Sequence, residues 1–220
     1  MLLPSPMIRF AIALVALPAL LGAQSLTQLD LTGVEAETVT YRGASGIRLM
    51  EKAGNTADAF ATIRQMKFHN GTIDVDVAGR PARGAAESAR GFIGIAFRIS
   101  NGKFECIYVR PTNARAADQL RRNHATQYVS FPEWPWERLR RETPGVYESY
   151  ADMVAGEWTH LRIVVSGREA SLYVGNASQP CLLVYDLKLG DATGGVALWI
   201  GPGTEGYFRN LTVRPATPSS

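Results

Sequence analysis

Gly94-Ile95-Ala96-Phe97-Arg98-Ile99-Ser100-Asn101-Gly102-Lys103-Phe104-Glu105-Cys106-Ile107-Tyr108-Val109-Arg110 joins two short apolar runs through an Asn-Gly pair. Two-residue hairpin loops of type I′ need φ > 0 at both central positions, which Asn and Gly tolerate best. The stretch therefore predicts a β-hairpin with Ser100 opposite Lys103, Ile99 opposite Phe104 and Arg98 opposite Glu105. Opposite charges facing each other across strands contribute about 0.2–1 kcal/mol. On that register Arg98 and Glu105 share a face with Gly94, Ala96 and Ile107, small side chains among them leaving room above the sheet. The other face, with Ile95, Phe97, Ile99, Phe104, Cys106 and Tyr108, reads as core. The charged pair fits a ligand site and a plain surface ion pair equally well.

Outward from the hairpin, the same punctuation repeats. Thr72–Val77 alternates apolar and polar residues, the pattern of a half-buried strand. Phe92–Ser100, Phe104–Arg110, His160–Ser166, Ala170–Val174, Leu182–Leu187, Val196–Ile200 and Phe208–Val213 are short, β-branched or aromatic, and bounded by turn residues. One polar stretch, Ala114–Asn123, allows a loop or a single helical turn. So many strands with so little helical period predict an all-β protein, a two-sheet antiparallel sandwich.

The 220 residues allow one sizeable domain. Residues 1–23 read as an export leader: Arg9, the apolar run Phe10–Leu21, and Leu21-Gly22-Ala23 as a cleavage site before Gln24. Residues 24–220 then form a single domain with no later run apolar enough to span a membrane, and the expected location is secreted or periplasmic. Losing Arg9 lowers the net charge of +3 by one, which is a small excess with no basic stripe. Nucleic acid is not the expected partner. Cys106 and Cys181 either form a disulfide closing a loop of about 75 residues or pack as small hydrophobes.

Between Arg110 and Trp158 the composition turns polar and aromatic at once. Loops this long inside a compact domain are usually functional or disordered, and the prolines and rings between Phe131 and Tyr147 argue against disorder. Indole faces stack on the C–H face of a pyranose, while Arg, Asn, Gln and His bond its hydroxyls; a few convergent polar groups on an apolar lining mark a small-molecule site. The candidate ligand-binding residues are Arg98, Arg110, Asn113, Arg122, Gln127, Tyr128, Trp134, Trp136 and Glu148. A carbohydrate is the partner this mixture fits. The competing expectation for Trp134 and Trp136 is a secondary core pinning the segment down.

Gly94-Ile95-Ala96-Phe97-Arg98, Phe104–Arg110, Gly156-Glu157-Trp158-Thr159-His160-Leu161 and the closing Gly195–Ile200 with Tyr207-Phe208-Arg209-Asn210-Leu211 resemble the concanavalin A-like lectin/glucanase superfamily. Within it the chain is similar to laminin-G-like modules and to the 3-keto-disaccharide hydrolase domain, over about Asp74–Val213. The resemblance implies a jelly roll with its ligand on a concave sheet face. It also implies an Arg and a Glu on adjacent strands facing that cleft, positions that Arg98 and Glu105 match. Glu105 and His124 are the candidate acid/base groups; an imidazole titrates near neutrality. Two functions follow: an exported carbohydrate-binding module, or a glycoside hydrolase or lyase acting on glycosides or 3-keto-glycosides.

Other motifs carry no chemistry. Gly201-Pro202-Gly203-Thr204-Glu205-Gly206 matches a dinucleotide fingerprint as a string, but a strand-forming run follows where a helix must open. His69, His124 and His160 have no metal-ligand spacing, and no cofactor or metal is expected. Asp74-Val75-Asp76 puts two acids on one face without the flanking Glu of a retaining glucanase, whose carboxyls lie about 5–5.5 Å apart.

Overall fold

Asn101 and Gly102 adopt φ of 50° and 72°, and Ser100 pairs with Lys103 as the turn requires. The computed structural model describes residues 26–55 and 58–217. The leader expected over 1–23 lies outside the described residues. Two antiparallel seven-stranded sheets pack face to face. In one, the order is β1 (Leu29–Thr32), β4 (Phe60–Ile63), β13 (Gly195–Ile200), β6 (Ile93–Ser100), β7 (Lys103–Val109), β8 (Thr126–Phe131) and β9 (Glu148–Ser149). The other runs β12 (Leu182–Val184), β11 (Glu169–Val174), β10 (Thr159–Ser166), β5 (Gly71–Pro81), β14 (Thr204–Pro215), β3 (Ala44–Glu51) and β2 (Val34–Tyr41). This is the predicted all-β sandwich. Three short helices, α1 (Pro111–Ala114), α2 (Gln119–Asn123) and α3 (Trp136–Glu142), all belong to the long polar-aromatic segment.

Two residues beyond the turn the expected register fails. Glu105 pairs with Phe97 rather than Arg98, because a β-bulge between Phe97 and Ser100 inserts an extra residue. Arg98 sits in that bulge at φ 56°, in the left-handed region that an arginine seldom adopts. The shift re-sorts the faces, since directly opposed residues share one. Ile93, Ile95, Phe97, Glu105 and Ile107 point toward the second sheet, where a Cβ on Gly79 or Gly206 would strike Ile93. Gly94, Ala96, Cys106 and Tyr108 point away from it. The small residues do lie on the open side, but with Tyr108 and without Glu105.

Arg98 has 1% of its surface exposed and extends between the layers. Its guanidinium donates to the carbonyls of His69 (3.0 Å), Gly167 (2.7 Å) and Gly190 and to Asn70 Oδ1 (3.1 Å). It thereby ties together the β4–β5 loop, the β10–β11 turn and the β12–β13 loop. Glu105, fully buried, accepts from Tyr128 Oη (2.5 Å) and the backbone N–H of Leu189 (2.7 Å). Burial raises its pKa, partly opposed by these bonds. Tyr128 Oη also accepts from the Lys188 N–H at 2.7 Å, so both side chains of this inner face fasten the β12–β13 loop.

Cys106 and Cys181 are free, which removes the disulfide alternative. Asp74 and Asp76 are flanked by basic neighbours on β10 and β14: His160 bridges them (3.1 and 2.9 Å), Arg162 reaches Asp74 and Arg209 reaches Asp76. No helix among the described residues is long and apolar enough to cross a membrane.

Truncating Arg98 strands several buried acceptors at once, each of which then bears its desolvation cost. Arg98→Ala should lower unfolding free energy by roughly 3 kcal/mol or more in a urea titration. A loss under about 0.5 kcal/mol, the scale of ordinary surface changes, would contradict this role for the bulge.

Candidate functional site

Phe60, Trp199, Gly94, Tyr108, Gln127 and Glu148 lie directly opposite one another on β4, β13, β6, β7, β8 and β9. They form one row across the sheet, on the face turned away from the second layer. Gly94 is the break in that row. A Cβ there would lie 2.6 Å from the Tyr108 Cβ, so only glycine lets Tyr108 lean across β6. The Tyr108 and Trp199 rings meet with centroids 4.8 Å apart, although their strands are separated by a third. Two strand spacings would be about 9.5 Å. Phe92 adds an edge contact on Tyr108 at 6.2 Å.

Above this aromatic floor lies a groove of about 1440 Å³. One wall is the β5–β6 loop around Ala86–Arg90, another is α1–α2, and a third is the Phe131–Arg141 segment with α3. Trp136, the first residue of α3, is 38% exposed and supplies the accessible ring. The cavity exceeds the 300–1,000 Å³ usual for a small-molecule site, as an extended ligand would require.

At the end of the row the polar groups converge. Glu148 accepts from Arg110 Nη1 (2.8 Å) and from Arg140, whose Nε lies at 2.9 Å. Arg110 also donates to Tyr108 Oη (3.0 Å), Gln127 Oε1 (3.0 Å) and the His124 carbonyl (3.2 Å). Gln127 in turn donates to the carbonyls of Tyr128 and Tyr147, so it is a buried support beneath Arg110. Burial opposes ionisation of Glu148, but hydrogen bonds from Arg140 and Arg110 and their charges prevail and hold its pKa below the ordinary value. Burial of the Tyr108 hydroxyl pushes its pKa up to about 12, so it stays a neutral partner. Arg140 stands 4.6 Å over the Trp136 ring, placing a cation behind the indole.

His124 lines the groove with Nε2 3.6 Å from Glu148 Oε2, beyond hydrogen-bond distance. Burial lowers its pKa; Glu148 opposes that, while Arg140 and Arg110 add to it. The imidazole is therefore neutral at pH 7. Asn113 fixes this corner by donating to the His124 carbonyl (3.0 Å) and accepting from Arg121 Nε (2.9 Å).

Of the residues singled out from sequence, Arg110, Asn113, His124 and Trp136 line the groove, and Glu148 and Gln127 hold Arg110 in place. Arg98, Glu105 and Tyr128 lie on the opposite side of the sheet, between the layers, because the bulge turns the hairpin pair inward. Arg122 pairs with the Tyr150 hydroxyl at 3.2 Å, outside the groove. Trp134 packs against the core with Arg138 3.6 Å and Lys188 4.7 Å from its ring centre, matching the secondary-core expectation. Sequence reading missed Trp199, Phe92, Arg90 and Arg140. Trp199 and Phe92 looked like ordinary strand residues, and only the pairing register shows that the former shares a face with Tyr108. Among the described residues no group of three or more His, Cys, Asp or Glu could hold a metal ion.

No protein-family model matches the chain, and no curated protein matches it in sequence. Solved structures do share its fold. A carbohydrate-binding module of family 66 from Bacillus subtilis superposes with a TM-score of 0.51 at 13% identity, covering 83% of this chain and 95% of that one. A protein of unknown function with a galectin-like fold, also from Bacillus subtilis, gives 0.52 at 10% identity, covering 87% and 91%. The cellulose-induced protein Cip1 gives 0.54 at 10% identity, covering 88% and 94%. At these identities the likeness establishes the fold alone, a two-sheet jelly-roll sandwich.

The Glu148 clamp has a definite pH signature. Its folded pKa lies below its unfolded value near 4.5, so its stabilisation is complete above that value and is lost as pH falls through the folded pKa. Glu148→Gln should cost about 2–4 kcal/mol at pH 7, leaving two arginines without their carboxylate. It should also flatten the decline in stability below about pH 4.5. Thermal melts of both proteins from neutral to acid pH check this; parallel curves would refute the assignment.

Proposed function

We propose that this protein is an exported carbohydrate-binding module that holds a saccharide chain in the groove on the open face of the β1–β9 sheet. The observation that carries the reading is the pairing of an accessible indole, Trp136, with a fixed polar cluster, Arg110, Asn113 and His124, around a single groove. A sugar ring presents a weakly apolar C–H face and a hydroxyl rim, and such a site serves both. The ring stacks on Trp136 while the guanidinium, amide and imidazole bond the rim. The cluster is organised in advance by Glu148 and Gln127, so little side-chain ordering is left to oppose binding. The laminin-G-like and 3-keto-disaccharide hydrolase-like resemblance, and the leader over 1–23, support the same reading.

Calorimetric titration against a panel of oligosaccharides should show saturable binding. Trp136→Ala should weaken it about tenfold or more, as for a central aromatic anchor. Trp134→Ala should leave affinity within about twofold, since that ring lies outside the groove. Equal effects of the two changes, or no saccharide bound at all, would sink the proposal.

A second reading rests on His124. A neutral imidazole at the groove wall is a proton acceptor, and in a 3-keto-glycoside the keto group acidifies the adjacent C–H. Loss of that proton to His124 would begin elimination of the glycosidic oxygen, the lyase chemistry the resemblance implies. Turnover of a 3-keto-disaccharide should then vanish in His124→Ala with binding retained. A rate unchanged by that substitution removes the mechanism.

A further inference from the structure

The groove carries more positive charge than a neutral sugar needs. Six arginines line it (Arg90, Arg110, Arg121, Arg138, Arg140 and Arg141) against the acids Asp118, Glu133 and Glu137. Four of the six are matched: Arg110 and Arg140 by Glu148, and Arg138 and Arg141 by Glu142. The other two form no ion pair among the described residues. Arg90 donates only to the carbonyls of Glu87 (2.5 Å) and Ala89 (3.0 Å). Arg121 donates to Asn113 Oδ1 (2.9 Å) and Thr112 Oγ1 (3.5 Å).

The two arginines stand on adjoining walls of the groove, Arg90 in the β5–β6 loop and Arg121 in α2. Thr112 joins them, its N–H and hydroxyl donating to the Arg90 carbonyl while its oxygen accepts from Arg121. Burial lowers the Arg90 pKa and repulsion from Arg121 and Arg110 lowers it further, partly opposed by the charge of Glu87. Asp118 caps the N-terminus of α2, accepting from the Arg121 N–H at 2.6 Å. Like charges lining one partly buried groove are relieved by an anion between them.

We propose that the saccharide bound in this groove is anionic, with a carboxylate or sulfate seated between Arg90 and Arg121. Each guanidinium presents a planar fork of donors that fits either group, and charge-assisted bonds of this kind are about twice as strong as neutral ones. The Trp136 side of the groove would hold the ring while the Arg90–Arg121 side reads the charge. The inference rests on the carbohydrate reading above and adds the class of sugar.

Calorimetry with oligogalacturonate, its methyl ester, a sulfated oligosaccharide and the unsulfated parent of the last tests it. At least one acidic member should bind tenfold or more tighter than its neutral counterpart, and which one does so identifies the anion as carboxylate or sulfate. Its affinity should fall several-fold as NaCl rises from about 0.05 to about 0.5 M, a range that shortens the screening length from over 10 Å to a few. Arg90→Gln and Arg121→Gln should each remove most of the preference for charge, with thermal melts confirming the fold; the salt dependence of the unaltered protein needs no variant. Equal, salt-insensitive binding of charged and neutral partners would overturn the anionic inference and leave the carbohydrate reading standing. Binding of none of the four, with none in the wider oligosaccharide panel, would end both.

Discussion

A single buried guanidinium, that of Arg98, sets the geometry of the groove sheet. Its bulge adds one residue to β6, and that residue reverses which face each side chain of β7 takes relative to the unbulged register. A charge this deep is tolerated because its donors meet carbonyls from three separate loops, with the Asp191 carboxylate 3.6 Å away and the buried Glu105 adding compensating charge. The same bonds close the far end of the sandwich, joining β4–β5, β10–β11 and β12–β13. With Arg98 turned inward, Glu105 follows it to the inner face, and Tyr108 comes out to the open one. The aromatic floor is thus a consequence of where one cation is hidden.

The sheet keeps two sets of charges apart. Beneath it, Arg98, Glu105 and Tyr128 fasten loops and see no solvent. Above it, Arg110, Glu148 and Arg140 form a second network at the end of the transverse row. Adjacent residues of β8 serve the two sides in turn: Gln127 props Arg110 from one face, and Tyr128 bonds Glu105 from the other. Strand alternation alone converts two neighbouring polar residues into a groove-side support and a core brace.

Much of this was legible in the chain. Most strands from Thr72 onward and the Asn101-Gly102 turn read correctly because their turn residues and alternation are local signals. By contrast, β8 and β9 lie inside the segment read as loop, and β14 already begins at Thr204, within the stretch read as a glycine-rich turn. The strands between Leu29 and Ile63 did not stand out, since β2 alternates only weakly between buried and exposed positions at a sheet margin. Helix α3 is seven residues long, too short for its period to be distinguished from loop. The bulge was illegible: an arginine at positive φ is specified by distant carbonyls and by nothing adjacent to it. From that one unseen residue came the misplacement of Glu105. From the polar-aromatic segment Trp136 and His124 reach the groove, but the deeper floor required knowing that Trp199 lies across Gly94 from Tyr108.

The sheet margins end in short or charged strands: β9 has two residues, β12 three and β1 four, while the longer β2 carries exposed Glu35 and Glu37. A free backbone ladder needs length and apolar flanks to recruit another chain. Copies crowded side by side would meet at high local density, the circumstance in which β-rich proteins coalesce into fibrils. Blunted borders of this kind let such neighbours touch without zipping together.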